Sequence, residues 1–438
     1  MRIALLCYRG NPLSGGQGVY ARYLSRELAA MGHEVSVLAG QPYPELVSGV
    51  ALVKVPSLDL YRPGDPFRTP RREEFRGPLD AMEWLMMLAG RFGEPLTFSV
   101  RSARILLRRR RDFDVVHDNQ GLGYGLWAVQ ASGLAVVATI HHPVTIDRDL
   151  EMVDAADEAR RRSLRRWYGF VGMQRRVLAG VPRLITVSRS SAADIAGQMG
   201  ARPEQLHVIP AGVDAEVFKP LPSVVAVPGR LMTTASADVT LKGLTPLLEA
   251  LAKVRTERDA ELVIVGTPRP DSQLPATIER LGLSEAVIMA GAVSTPRMVE
   301  LYASSEVAVV PSLYEGFSLP AVEAMACGVA LVTTTGGALP EVVGPSGTAA
   351  LLVEPGDPGA LAAAIIELLN DEALRARLGA AGRARILQRF TWRAMAQATV
   401  DQYRLAMTGS RFARAMAAAG LCGRQGGAPP GPQPSTSC

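Results

Sequence analysis

Lysine is nearly missing from this chain of 438 residues: Lys54, Lys219, Lys242 and Lys253 are the only four, and arginine supplies the remaining positive charge. Cysteine is equally scarce. Cys7, Cys327, Cys422 and Cys438 form no C-x-x-C pair and two of them fall in or near the tail, which excludes a disulfide framework and a zinc knuckle. Aromatic residues make up 5%, and none interleaves with the arginine runs, so a stacking nucleic-acid module is excluded. Long apolar runs are missing too. The opening run, Ile3 to Cys7, is too short for a secretory signal, which leads us to expect a cytoplasmic protein. Gly121 to Ile140 carries no formal charge, yet Gln130, Ser132 and Gly133 divide it into a helix and a strand, not a membrane span.

What is present is the composition of a soluble globular protein, 48% hydrophobic and 20% charged, long enough for two or three domains. The net charge of +5 is mild. Arginines nevertheless cluster at Arg108 to Arg111 and at Arg160 to Arg162 with Arg165 and Arg166. Such runs read as solvated helix faces; with the apolar stretch Trp84 to Leu88 they would also suit peripheral contact with the cytoplasmic face of a membrane.

Strand and helix patterns alternate along most of the chain. Arg2 to Tyr8 reads as a strand, Gln17 to Met31 as a helix ended by Gly32, and Glu34 to Ala39 as a second strand. Residues 57–112 break the rhythm with Pro63, Pro66, Pro70 and Pro78 and read as an insertion. Strands resume at Asp114 to His117, Ala135 to His141, Leu184 to Ser188 and Leu206 to Pro210. A second series follows at Arg230 to Ala235, Glu261 to Gly266, Ala286 to Ala290, Val307 to Val310 and Ala330 to Thr333. Two successive α/β domains with parallel sheets are the simplest account, with residues 211–223 as the hinge. The Gly-, Pro- and Ser-rich tail, 423–438, is expected to be disordered.

The most informative segment runs from Pro311 to Gly328. It sets Glu315 and Glu323 eight positions apart around a glycine turn that opens a helix, with Pro320 in the first helical turn, where no N–H partner is lost. Free N–H groups at Gly316, Phe317, Ser318 and Leu319, at the positive end of that helix, suit a diphosphate; neighbouring carboxylates can accept hydrogen bonds from sugar hydroxyls. Lys242-Gly243 is conspicuous in so lysine-poor a chain. Gly16 to Ala21 fits G-x-G-x-x-A, but no acid ends the second strand to hold a ribose, so a dinucleotide site is not expected. Asp112-Phe113-Asp114 and Asp147-Arg148-Asp149 fit D-x-D, a short pattern that recurs by chance.

The segment from Pro311 to Val343 closely resembles the nucleotide-sugar half of family-4 retaining glycosyltransferases, whose E-x7-E signature falls on Glu315 and Glu323. Val208 to Asp214, with Phe218 and Pro220, resembles the family's linker, and Gly15-Gly16 its N-terminal glycine loop. The resemblance implies the GT-B fold: two Rossmann-like parallel-sheet domains facing a central cleft, with a C-terminal helix crossing back. It would place an acceptor-side domain at 1–215, a donor domain at 216–389 and returning helices at 390–420. It implies transfer of a sugar from a UDP- or GDP-linked donor to a hydroxyl of a glycan, lipid or small molecule, with no cofactor and no essential metal. Catalysis would fall to Glu315, His141 and Lys242, with His142 the alternative histidine. The donor would be held by Gly15, Gly16, Lys242, the turn Gly316, Phe317, Ser318 and Leu319, and Glu323. Apart from the resemblance, His117 to Gln120 end another strand of the first domain, a position that would let their polar groups line the acceptor pocket. The family's diphosphate-binding arginine falls on Ala237, and Arg230 lies too far back to replace it. An epimerase or phosphorylase of the same fold, or a non-catalytic nucleotide-sugar-binding protein, is the alternative.

Overall fold

The computed structural model describes residues 1–10, 16–62, 64–234, 240–268 and 272–418; Gly15, Ala237 and the tail 423–438 lie outside the described residues. The strands in chain order are β1 (Arg2–Cys7), β2 (Glu34–Ala39), β3 (Ala51–Lys54), β4 (Tyr61–Arg62), β5 (Asp65–Pro66), β6 (Val115–Asn119), β7 (Ala135–Ile140), β8 (Leu184–Thr186) and β9 (Leu206–Val208). They continue as β10 (Val227–Thr234), β11 (Glu261–Val265), β12 (Val287–Gly291), β13 (Ser305–Val310), β14 (Ala330–Thr334) and β15 (Leu351–Val353).

Apart from the small hairpin β4–β5, these strands form two parallel sheets, ordered 3-2-1-6-7-8-9 and 12-11-10-13-14-15. Runs such as Ala135–Ile140 and Ala330–Thr334 are buried on both faces, which is why they read as continuous apolar stretches and not as alternating ones. In each sheet the order reverses beside the first strand: between β1 and β6, and between β10 and β13. Loops leaving the carboxyl ends of those four strands therefore part around a crevice, where open α/β sheets bind their ligands.

Several expectations are corrected. Strands expected to reach His141 and Ser188 end at Ile140 and Thr186, because the following residues leave the ladder for the cleft loops. There Ser188 caps the next helix, accepting a hydrogen bond from the Ser191 N–H at 2.9 Å. The edge strands β3 and β15 carry no long apolar run and were not foreseen; Ala51–Lys54 and Leu351–Val353 are short and only partly covered. Nor is 57–112 wholly an insertion. Its helix Glu94–Arg108 is the crossover between β3 and β6, with Phe98, Ala103 and Leu106 packed into the sheet's core beside Leu6 and Val116.

The chain passes between the domains twice, and the two passages touch. The Val213 N–H donates to the Phe390 carbonyl at 2.9 Å, and a Cβ on Gly212 would stand 2.3 Å from the Trp392 nitrogen, so only glycine fits. Beyond this point the terminal helix Trp392–Ala418 runs back over the first domain. Trp392 stacks on Tyr23 at 4.9 Å, and the Tyr403 hydroxyl meets His117 Nδ1 at 2.6 Å. No helix among the described residues is long and apolar enough to cross a membrane.

Candidate active site

The loops after β10 and β13 are tied together at the second sheet's crevice. The Leu313 N–H donates to the Leu241 carbonyl at 2.8 Å. Gly243 sits at φ +64°, and a Cβ there would lie 2.0 Å from the Pro311 carbonyl oxygen, which explains the glycine after the lysine. This packing delivers Lys242 Nζ to Glu315 Oε1 at 2.8 Å. Glu315 is only 8% exposed and also accepts from Ser312 Oγ at 2.7 Å. Its backbone is backed by the next glycine turn, where Gly337 adopts φ +63° and the Ala338 N–H donates to the Glu315 carbonyl at 2.8 Å.

Ser318 precedes the helix Leu319–Ala326 at φ +80°, a strained setting for a non-glycine residue, and its Oγ caps the helix by accepting from the Ala321 N–H. Among the described residues, the N–H groups of Gly316, Phe317, Ser318 and Leu319 donate to no protein acceptor. The Phe317 ring points away, buried against Phe390 at 5.8 Å, so it is the backbone of that residue and not its side chain that faces the crevice. Glu323 lies one turn into the helix. Burial pushes its carboxyl up to about 8, with a hydrogen bond from Tyr302 opposing the shift. The residue keeps a partial opening to solvent.

On the facing edge of the first sheet, His141 is held from four sides. Its N–H donates to Gln120 Oε1 at 2.9 Å, its Nε2 lies 2.8 Å from Asn119 Oδ1, and Tyr20 meets the ring edge-on with centroids 4.7 Å apart. Its carbonyl accepts from Ser191 Oγ at 3.2 Å. Asn119 Nδ2 donates to the Gln17 carbonyl at 3.0 Å, which leaves Oδ1 as the acceptor and assigns the proton to His141 Nε2. Burial, with His142 nearby, pushes His141 down to about 3. The ring is therefore neutral, and among the described residues its Nδ1 lone pair meets no donor. His142 is instead paired with Asp147 at 2.9 Å.

The expectation that His117 to Gln120 line an acceptor pocket is corrected. His117 is fully buried between Thr139 and Tyr403, and Asp118 caps the Leu122 N–H at 2.7 Å. Asn119 and Gln120 act on His141. The carboxylates of both D-x-D patterns are paired with other side chains, Asp112 with Arg109 and Asp114 with Arg2, Asp147 with His142 and Asp149 with Arg148. Arg230 is held by Glu261 at 2.6 Å, which also keeps it from replacing the missing arginine.

The two halves meet across the cleft, motif residues of one against unmarked residues of the other. Ser191 Oγ lies 3.2 Å from both the His141 and the Gly316 carbonyls, and a Cβ on Gly316 would stand 3.0 Å from the His141 carbonyl oxygen. The Tyr314 hydroxyl donates to Asp194 at 2.6 Å, and the Glu341 carboxylate accepts the N–H groups of Arg189 and Ser190 at 2.9 and 2.8 Å. Sequence reading missed Ser191, Asp194, Glu341 and Tyr20 as site components, since each becomes relevant only when the domains face one another.

Two facing parallel sheets with a returning terminal helix and a crevice lined in this way define a GT-B glycosyltransferase. Residues 228–385 match the model for glycosyl transferases group 1, and residues 14–217 that for glycosyltransferase family 4. The chain is 51% identical over 408 residues to the MMP alpha-(1->4)-mannosyltransferase of Mycolicibacterium hassiacum, covering 93% of this chain and 98% of the relative. Among solved structures, sucrose-phosphate synthase from Thermosynechococcus elongatus superposes with a TM-score of 0.72 at 22% identity, over 93% of this chain and 99% of that one. Anabaena HepE in complex with UDP-glucose gives 0.68 at 18% identity, over 92% and 99%. The chain belongs to the family-4 glycosyltransferases.

Proposed function

We propose that this protein is a retaining mannosyltransferase that moves a mannosyl unit from a GDP- or UDP-linked donor to a hydroxyl of a saccharide. The mannosyl and saccharide parts of this reading are supported by the 51%-identical alpha-(1->4)-mannosyltransferase. One observation carries the chemistry: Lys242 and four N–H groups that meet no protein acceptor among the described residues stand on adjoining loops of the second sheet's crevice, opposite a neutral His141.

The diphosphate takes the Lys242 ammonium and the N–H groups of Gly316 to Leu319. Glu315, released from Lys242, accepts hydrogen bonds from the sugar hydroxyls, and Glu323 from the ribose. The acceptor oxygen attacks the anomeric carbon on the face the diphosphate leaves. The C–O bond to the diphosphate breaks with its electron pair on the phosphate oxygen, and that oxygen takes the proton of the attacking hydroxyl. Lys242 and the N–H groups stabilise the charge as it develops. The His141 Nδ1 lone pair accepts from a hydroxyl of the reacting sugars and orients it. No cofactor or metal is needed for this step.

The test is thermal unfolding with saturating GDP, UDP, ADP and dTDP, on the wild type and on Glu323→Ala and Lys242→Ala, followed by NMR of the product formed from the matching nucleotide mannose and an α-mannoside. Ligand at a hundred times its dissociation constant stabilises by about 2.7 kcal/mol. A shift with one nucleotide, absent in both variants, and an α-linked product support the proposal. No shift with any nucleotide removes the donor site.

A further inference from the structure

Aromatic residues are only 5% of the chain, yet four of them meet at one place. Tyr61 and Phe67, from and beside the hairpin β4–β5, pack with Phe92 and Trp167: centroids are 5.5 Å apart for Tyr61–Phe67, 5.4 Å for Tyr61–Trp167, 5.9 Å for Phe67–Trp167 and 5.2 Å for Phe92–Trp167. Phe92 is the buried floor. Phe67 is the reverse, 60% exposed although pinned by two neighbouring rings, and Trp167 is partly open beside it.

Phe67 also stands at φ +61°, a conformation costly for a bulky side chain, with its N–H fixed to the Leu60 carbonyl at 2.8 Å. Folding gains little from a ring held out into water on a strained backbone. Such strain points to a binding role.

The cluster is bolted to the edge of the sheet that carries the site. Arg9, two residues past β1, donates to the Tyr61 carbonyl at 2.8 Å, while its Nε lies 3.4 Å from the buried Glu94 carboxyl. Tyr8, one residue past β1, touches Phe92 edge-on at 6.5 Å and is hydrogen-bonded to Gln17, whose carbonyl receives Asn119, the partner of His141. Two rigid, adjacent, partly exposed rings on the acceptor-side domain suit a pyranose: its C–H face stacks on the rings, and its rim hydroxyls remain free for nearby polar groups.

We propose that Phe67 and Trp167 form a distal acceptor subsite, stacking a sugar ring further along the acceptor saccharide than the reacting hydroxyl. This rests on the saccharide acceptor proposed above. A subsite of this kind makes the enzyme prefer longer acceptors.

The experiment uses α-(1→4)-linked mannose oligosaccharides of increasing length, with the nucleotide mannose that shifts the melting temperature, on the wild type, Phe67→Ala, Phe67→Trp and Trp167→Ala. Saturation-transfer NMR of the same oligosaccharides gives binding independently of turnover. We expect kcat/KM in the wild type to rise with chain length until the subsite is filled. Phe67→Ala and Trp167→Ala should lose that rise, by about tenfold in KM for the longest acceptor, and Phe67→Trp should keep it. Saturation transfer to a distal ring should vanish in Phe67→Ala.

Transfer with no length dependence, or a length dependence unaltered in Phe67→Ala, overturns the subsite and leaves the mannosyltransferase reading standing. Phe67-dependent binding without transfer supports the subsite and overturns that reading. Neither binding nor transfer overturns both. Phe67-dependent sedimentation with phosphatidylglycerol vesicles, with no oligosaccharide binding, would assign the rings to a membrane surface instead.

Discussion

Lys242 Nζ lies 2.8 Å from Glu315 Oε1, so the one lysine in the crevice and the first glutamate of the E-x7-E pair neutralise each other before any donor arrives. The pair is partly covered, with side-chain exposures of 26% and 10%. Replacing Lys242 with Met leaves Glu315 with Ser312 as its side-chain partner and removes the charge proposed to meet the diphosphate. Transition-state stabilisation by one such group is worth roughly 10²–10³ in kcat. We expect a loss of that order, together with loss of the nucleotide-induced melting shift. Unchanged kcat in Lys242→Met would remove the lysine from catalysis.

Glu323, pushed up to about 8 by burial, is protonated at neutral pH. Ribose hydroxyls donating to its carboxylate favour the ionised form, so nucleotide binding at pH 7 should release close to one proton, about one being the maximum for a single group. Calorimetry in buffers of different ionisation enthalpy measures this directly. Glu323→Gln should release none and bind about tenfold more weakly, the scale of a hydrogen bond to a charged group. Proton uptake, or equal release in the variant, would show that the ribose is held elsewhere.

His141 is driven down to about 3, so it stays neutral across the working range. The pH profile of kcat at saturating donor should therefore show no inflection near the ordinary imidazole value of 6.5. Asn119→Leu removes the acceptor that fixes the Nε2–H tautomer, and it should reduce kcat while leaving nucleotide affinity, measured by calorimetry, at the wild-type value. An inflection near 6.5 in the wild type would mean that the ring is solvated in the working enzyme.

The buried groups set opposing pH dependences of stability. Glu94 is raised by burial to about 8 against the pull of Arg9, and Glu323 by burial to about 8. Through pH 6.5–8 the folded protein keeps carboxyl protons that the unfolded chain, near 4.5, has lost, so stability falls as pH rises. His117 and His141, both lowered to about 3, act in the other direction. The unfolded chain takes up protons that they refuse, so stability falls as pH drops below 6.5. Between 4.5 and 6.5 the two trends offset one another, with Asp118, raised to about 6, adding to the carboxyl side. Glu94→Gln should remove roughly half of the melting-temperature drop between pH 6.5 and 8, one of the two carboxyls responsible being gone. A drop of the wild-type size in that variant would show that Glu94 is ionised in the fold.

The sequence is enough for the two parallel sheets, since a strand buried on both faces must be apolar throughout, and Val307 to Val310 or Ala135 to Ile140 can be little else. It also placed Glu315 on the loop after a strand, Glu323 in the helix that follows and Lys242-Gly243 after the first strand of the second series, because a glycine turn between an apolar run and a helix is a local pattern. It misjudged residues 57–112: the crossover helix Glu94–Arg108 and the hairpin that displays Phe67 share one proline-broken stretch, and only packing against β3 and β6 separates them. His117 and His141 both stand near strand ends in the sequence. Which face each ring takes was decided by the terminal helix, whose Tyr403 covers one, and by Asn119, which turns the other to the cleft. Ser191, Asp194 and Glu341 acquire their partners only when two domains far apart in the chain are brought face to face. Hydrophobic periodicity records which residues avoid water, a local property; which polar groups meet across a cleft depends on contacts separated by more than a hundred residues, and the tertiary structure alone sets those.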